Sequence, residues 1–245
     1  MNFESQTLQI AIAFLFAGLV QGVGGFGSAL ILAPILIPIL DIRVAPALMM
    51  VSGLPSLIFI LIRYRTALSW KTVWPLSAAS LMMIPVGILM AGHLNIRWIY
   101  ALLSFLLIAF SLSALTGFVF PPPRGRWVAF LAGGCSGFLG GACNTDGPPI
   151  ILYGNCSQWN SREFKSNLQA FFSLNTLMLL VSHCYAGNLS TAVFRYAAWT
   201  APALLAGTVF GVLLDPLIHP KAFRKICLVL LLGLGIRMVF LAIAP

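Results

Sequence analysis

Acidic residues are almost missing from this sequence: five Asp and Glu stand among 245 residues, beside fourteen Lys and Arg and three histidines. No two acids adjoin, and none adjoins a histidine. The clustered carboxylates or His-centred sites that enzymes need are therefore absent, and the chain is not read as an enzyme. Cysteine is sparse as well. Cys135, Cys143, Cys156, Cys184 and Cys227 fall singly, with no C-x-x-C pair, so neither a disulfide framework nor a zinc site is expected, and no metal or cofactor. Charge of either sign is only 8% of the chain, against a usual share of about 25% in soluble domains.

What fills the space is apolar: 60% hydrophobic residues and a mean hydropathy of +0.99, more than a soluble core can use. Uncharged runs from Val44 to Ile62, Thr72 to Ile96, Trp98 to Pro123 and Tyr196 to Leu214 approach or exceed the roughly 20 residues that cross a bilayer. The expectation is one all-α integral membrane domain over residues 1–245, multi-pass in a lipid bilayer such as a cell inner membrane. The first basic residue is Arg43, so the apolar N-terminus lacks the charged start of a cleavable signal and is expected to stay. A net charge of +9 would suit nucleic acid only as a patch on a folded surface. Here the bases sit between apolar runs, so they are read as orientation determinants and no nucleic-acid partner is expected.

Between Glu4 and Asp41 lie 36 uncharged residues, which as one helix would extend about 54 Å, well beyond a hydrocarbon core of about 30 Å. The stretch is interrupted at Gly22-Val23-Gly24-Gly25-Phe26-Gly27, where each glycine costs about 1 kcal/mol of helix propensity. Two half-length helices, near Leu8 to Gln21 and Ser28 to Leu40, are expected. A second such stretch lies between Arg126 and Arg162, with Asp146 as its one charge. Gly18, Gly22, Gly25 and Pro34 reappear 115 residues on as Gly133, Gly137, Gly140 and Pro149. Such matching is what a duplication leaves, here of residues 1–120 and 121–245. Paired Gly/Pro-interrupted segments also point to a carrier's binding site. The competing reading is that Gly18-x-x-x-Gly22, Gly133-x-x-x-Gly137 and Gly207-x-x-x-Gly211 only let helices pack closely, and for the last pair it is adopted.

Three plainer helices follow each interrupted segment: about Val44 to Ile62, Thr72 to Gly92 and Trp98 to Val119, then Ser166 to Ala186, Tyr196 to Leu214 and Ala222 to Ala242. If each interrupted segment crosses once, the basic residues split 6 to 7 between the two sides, omitting Arg237. If each instead enters and leaves on one side, Arg43, Arg97 and Arg195 face ten others. Only the second split shows the bias that orients membrane proteins. It makes the halves inverted repeats, each a Gly-interrupted broken or re-entrant helix followed by three transmembrane helices, with both termini outside.

A helix that starts inside the membrane offers free N–H groups and a partial positive charge to an oxyanion. Ser28 is read as capping the helix after the first break, and Pro148 suits the first turn after the second. The expected substrate contacts are Gln21, Gly24, Gly25, Gly27 and Ser28 at the first break, and Gly140, Gly141, Asn144 and Thr145 at the second, with Asn175 inside an apolar run. Ser52, Ser56, Ser136, Gln169 and Ser173 are further polar candidates, although each such residue alone more often bonds a neighbouring helix. Asp146 is read two ways, as a carrier of a coupling proton or cation or as a cap for the helix at Gly147-Pro148. Arg237, inside the last apolar run, is expected to face a partner or to snorkel.

Ala17-Gly18 through Gly27 with Pro34, echoed by Ala132-Gly133 through Gly141 and Pro148-Pro149, resembles the TauE/SafE sulfite exporter family over nearly the whole chain. That resemblance implies export or exchange of a small anion, sulfite or an organosulfonate such as sulfoacetate, driven by a proton or ion gradient. The chain departs from the family's more glycine-rich second motif at Cys143-Asn144-Thr145-Asp146. A homodimer is compatible with these features. The alternatives are a channel, a membrane subunit that transports nothing itself, and an intramembrane enzyme.

Overall fold

The computed structural model describes residues 3–40, 44–93, 95–116, 125–185, 187–217 and 220–243. The first half forms α1 (Phe3–Gly24), α2 (Ser28–Leu36), α3 (Val44–Tyr64), α4 (Trp70–His93) and α5 (Ile96–Leu115). The second half repeats that order as α6 (Arg126–Cys143), α7 (Gly147–Cys156), α8 (Ser161–Tyr185), α9 (Thr191–Leu214) and α10 (Pro220–Ile243). Among the described residues there is no strand. Four stretches, Val44–Ala67, Trp70–Met90, Arg97–Leu115 and Thr191–Leu214, are long and apolar enough to cross a membrane. Apolar side chains exposed on their outer faces, such as Ile62, Met82, Leu89, Phe105 and Leu213, suit a hydrocarbon surround.

The breaks fall where expected, but the helix limits differ. α1 runs on to Gly24 because its glycines pack against a neighbour. A side chain at Gly18 or Gly22 would collide with the backbone of α9 at Leu204, Thr208 and Gly211. α2 stops at Leu36 rather than Leu40, because Pro38 has no N–H to return to the carbonyl of Pro34. Arg237 from α10 supplies that missing donor, its Nη1 lying 3.1 Å from the Pro34 oxygen. The expected intramembrane arginine thus has a backbone partner.

The glycines divide between turning the chain and close helix packing. Gly133, Gly137 and Gly141 press α6 on α4 at Leu76, Ser80 and Ile84, as Gly207 and Gly211 press α9 on α1. In each pair the contacts advance together along both chains, so α1 runs parallel to α9 and α4 parallel to α6. α3 packs against α8 and α5 against α10.

The end of α3, the start of α8 and the end of α9 meet where Arg63, Arg162, Lys165 and Asp215 line one cavity. Since α1 parallels α9, it too finishes at this end, and α2 must return for α3 to come back. α6, parallel to α4, leaves from this end, and α7 returns for α8 to begin there. Arg63 and Arg162 therefore share one end of the bundle. Arg43, Arg124 and both chain ends, Met1 and Pro245, lie outside the described residues.

Candidate functional site

The two breaks share a backbone device. Gly25 ends α1 at φ 75° and Asn144 ends α6 at φ 53°, both left-handed, a conformation open to glycine and tolerated by asparagine. Gly25 and Asn144 are 119 residues apart, as are the helix starts Ser28 and Gly147. The 115-residue register read from the glycines is thus one helical turn out at the break, which places Gly22 opposite Gly141. The glycines of α6 recur at every fourth position, so sequence alone offers two registers one turn apart.

Both breaks open on a single cavity, about 730 Å³ of atom-free space counting its mouth, walled by α3 and α8. Of the expected contacts, Gln21, Gly27, Ser28, Asn144, Thr145 and Asp146 line it. Gly24, Gly25, Gly140 and Gly141 do not. Gly141 is taken up by the α4 contact, and the Gly25 carbonyl accepts the Gln169 amide at 2.6 Å. Asn175 lies behind the wall and donates to Asp146 Oδ2 at 2.9 Å. Gln169 and Asn175 are six residues apart on α8, about 9 Å of rise, so one helix grips both breaks.

The two helix starts are chemically unlike. Ahead of α2 the cap is Gly27, at φ 110° and with no side chain to bond, so the N–H groups of Ser28, Ala29 and Leu30 have no intrahelical carbonyl. The first bond closes only from Ile31 to Gly27. Ser28 is therefore the first helical residue, not the cap. Ahead of α7 the sequence Gly147-Pro148-Pro149 removes two of the N–H groups such a start would offer. Asp146 occupies the cap position but makes no side-chain cap bond; its carboxylate turns to Asn175 and its carbonyl accepts the Ser136 hydroxyl.

Thr145 is buried, and its hydroxyl donates to the Cys143 carbonyl at 3.0 Å. The Asn144 amide meets only the Met49 sulfur, at 3.8 Å, a weak contact that leaves it able to bind. Gln21 is buried with its amide oxygen unpartnered, and a buried polar atom facing a cavity calls for a ligand or water.

In the sequence alone Lys165 is one of the orienting charges. The structure buries it against Gly25, with its Nζ 2.5 Å from Asp215. The available signal was Lys165-x-x-x-Gln169, an i,i+4 pair opening an apolar run. Met49, Met50 and Thr176 also line the cavity, but nothing in their local sequence marks them.

A curated relative, the probable sulfite/organosulfonate exporter TauE of Cupriavidus necator, is 25% identical over 182 residues, 72% of this chain and 71% of that protein. No solved structure matches the chain significantly. The family model for the sulfite exporter TauE/SafE matches residues 10–238, so the chain belongs to the TauE/SafE family of membrane transporters and is not an enzyme.

Proposed function

We propose that the protein is a secondary carrier that exports sulfite or an organosulfonate such as sulfoacetate. The oxyanion rests at the start of α2, and Asp146 holds a proton or cation across the same cavity. The observation that carries this reading is the pairing of an uncapped helix start with a carboxylate on facing parts of one cavity. Three free N–H groups and the positive end of the α2 dipole favour a small anion. Gln21 and Asn144 add side-chain contacts to it. A permanent negative charge at Asp146 would repel that anion, which is why a proton or cation travels with the substrate.

In the bilayer of a bacterial-type inner membrane, the basic end faces the cytoplasm by the positive-inside bias. Running in opposite directions, the two halves form an inverted repeat, the architecture of many secondary carriers. Reporters fused at Met1 and Pro245 are expected to read as external at both ends. A cytoplasmic signal from either end of an active fusion would overturn this topology.

Ligand-induced stabilisation tests the anion cradle. Sulfite or an organosulfonate, screened against sulfate, thiosulfate, taurine and plain carboxylates, should stabilise the purified protein by about 2.7 kcal/mol at a hundredfold excess over Kd. Ser28→Asp places a carboxylate in the first turn of α2, where it suits the helix dipole but competes with an anionic ligand. The variant should fold normally and lose the ligand-induced shift. An unchanged shift would put the anion elsewhere, and flux that does not saturate would favour a channel.

A further inference from the structure

At the basic end of the bundle lies a second cavity, about 890 Å³ of atom-free space counting its mouth, between the end of α3, the start of α8 and the end of α9. Arg63, Arg162 and Lys165 stand in its wall against one acid, Asp215, with Tyr64 and Ser161 beside them. Three cations against one anion leave the cavity positive, and a concave site of one sign concentrates ligands of the other.

Lys165 links this cavity to the central one. Its stem lies against Gly25 at the first break, close enough that a side-chain carbon on Gly25 would come within 2.7 Å of Lys165 Cγ. One turn along α8, Gln169 holds the Gly25 carbonyl. The Lys165 ammonium pairs with Asp215 at 2.5 Å and lies 5.3 Å from the centre of the Tyr64 ring. Its side chain is 5% exposed while that of Asp215 is 32% exposed. So buried an ammonium requires an anionic partner. A carboxylate about one-third exposed is a partner that a second oxyanion can replace.

We propose that this cavity is a receiving site for the exported oxyanion, in which Arg63 and Arg162 draw the anion in and Lys165 exchanges Asp215 for it beside the first helix break. The proposal rests on the export reading above. It adds a second binding site, on the cytoplasmic side, for the same chemical class.

Arg63 and Arg162 are both exposed, so the double variant Arg63→Gln/Arg162→Gln is expected to fold as the parent does. Efflux of sulfite is measured from neutral phosphatidylcholine vesicles with the basic end facing the sulfite. The double variant should raise KM about tenfold at unchanged maximal rate and flatten the fall of kcat/KM with ionic strength. Asp215→Asn, which frees Lys165, should lower KM.

An unaltered KM and salt slope in the double variant would overturn the proposal. So would a defect seen only when phosphatidylglycerol is present, which would assign the cavity to a lipid phosphate. Absence of sulfite or sulfonate flux in the unaltered protein would instead strike the export reading. In that case sulfite binding to solubilised protein still decides the matter. A two-site isotherm that becomes one-site in the double variant upholds the receiving site, and identical isotherms end it.

Discussion

Asp146→Asn is expected to reduce gradient-driven transport to the level of empty vesicles while leaving a folded protein that still binds anion. The substitution is nearly isosteric, and the Asn175 amide that donates to Asp146 Oδ2 at 2.9 Å can donate equally to the new amide oxygen. Helix α7 should be indifferent, because the Asp146 side chain makes no cap bond to it. The carboxylate's capacity to take up a proton or hold a cation is what disappears. Proteoliposomes separate the two properties. Sulfite counterflow without an imposed gradient should persist, whereas accumulation driven by a pH or cation gradient should vanish. Full gradient-driven accumulation by the variant would leave Asp146 a purely structural residue.

Gly141→Val is expected to remove most of the folded protein, so its loss of transport would say nothing about substrate contact. A Cβ at Gly141 would collide with the Ile84 carbonyl and lie 3.0 Å from the Ile88 nitrogen and 3.2 Å from the Gly87 Cα. None of these is the end of a flexible side chain. Relief requires α4 and α6 to separate along their contact, a strain on the order of 3 kcal/mol or more. The monodisperse yield in detergent should fall sharply. Gly233→Val, where a Cβ would meet nothing within 4 Å, should express like the parent. Normal yield and melting of the Gly141 variant would mean that the α4–α6 contact is looser than the structure shows.

The membrane class, the two interrupted segments, the three helices after each and the family were all legible in the sequence. Each depends on local composition: apolar runs of spanning length, glycine clusters that weaken a helix, and a stretch too long for one crossing. The expectation that the interrupted segments return to the side they left rests on the count of basic residues, a global quantity that sequence also carries.

Roles within a motif were less accessible. Gly22 and Gly25 lie three residues apart, yet one packs against α9 and the other turns the chain. Glycine serves both purposes for the same reason, the missing Cβ, so composition cannot say which applies. The same ambiguity leaves two registers, one turn apart, for matching the two interrupted segments. It also placed Gly141 in the binding site, although Pro148 and Pro149 already announced in the sequence that α7 would present few N–H groups.

The sequence by itself determined that the chain is a bundle of apolar helices with two weakened segments, because helix length, propensity and hydropathy act over neighbours along the chain. Only the tertiary structure decided that the two breaks face one cavity. The same holds for Asp146 turning to Asn175 instead of capping its helix, and for Lys165 lying beneath Gly25 with Asp215 as its partner. Those contacts join residues 29, 140 and 50 positions apart, and which side chains meet across such distances is set by how the helices pack against one another.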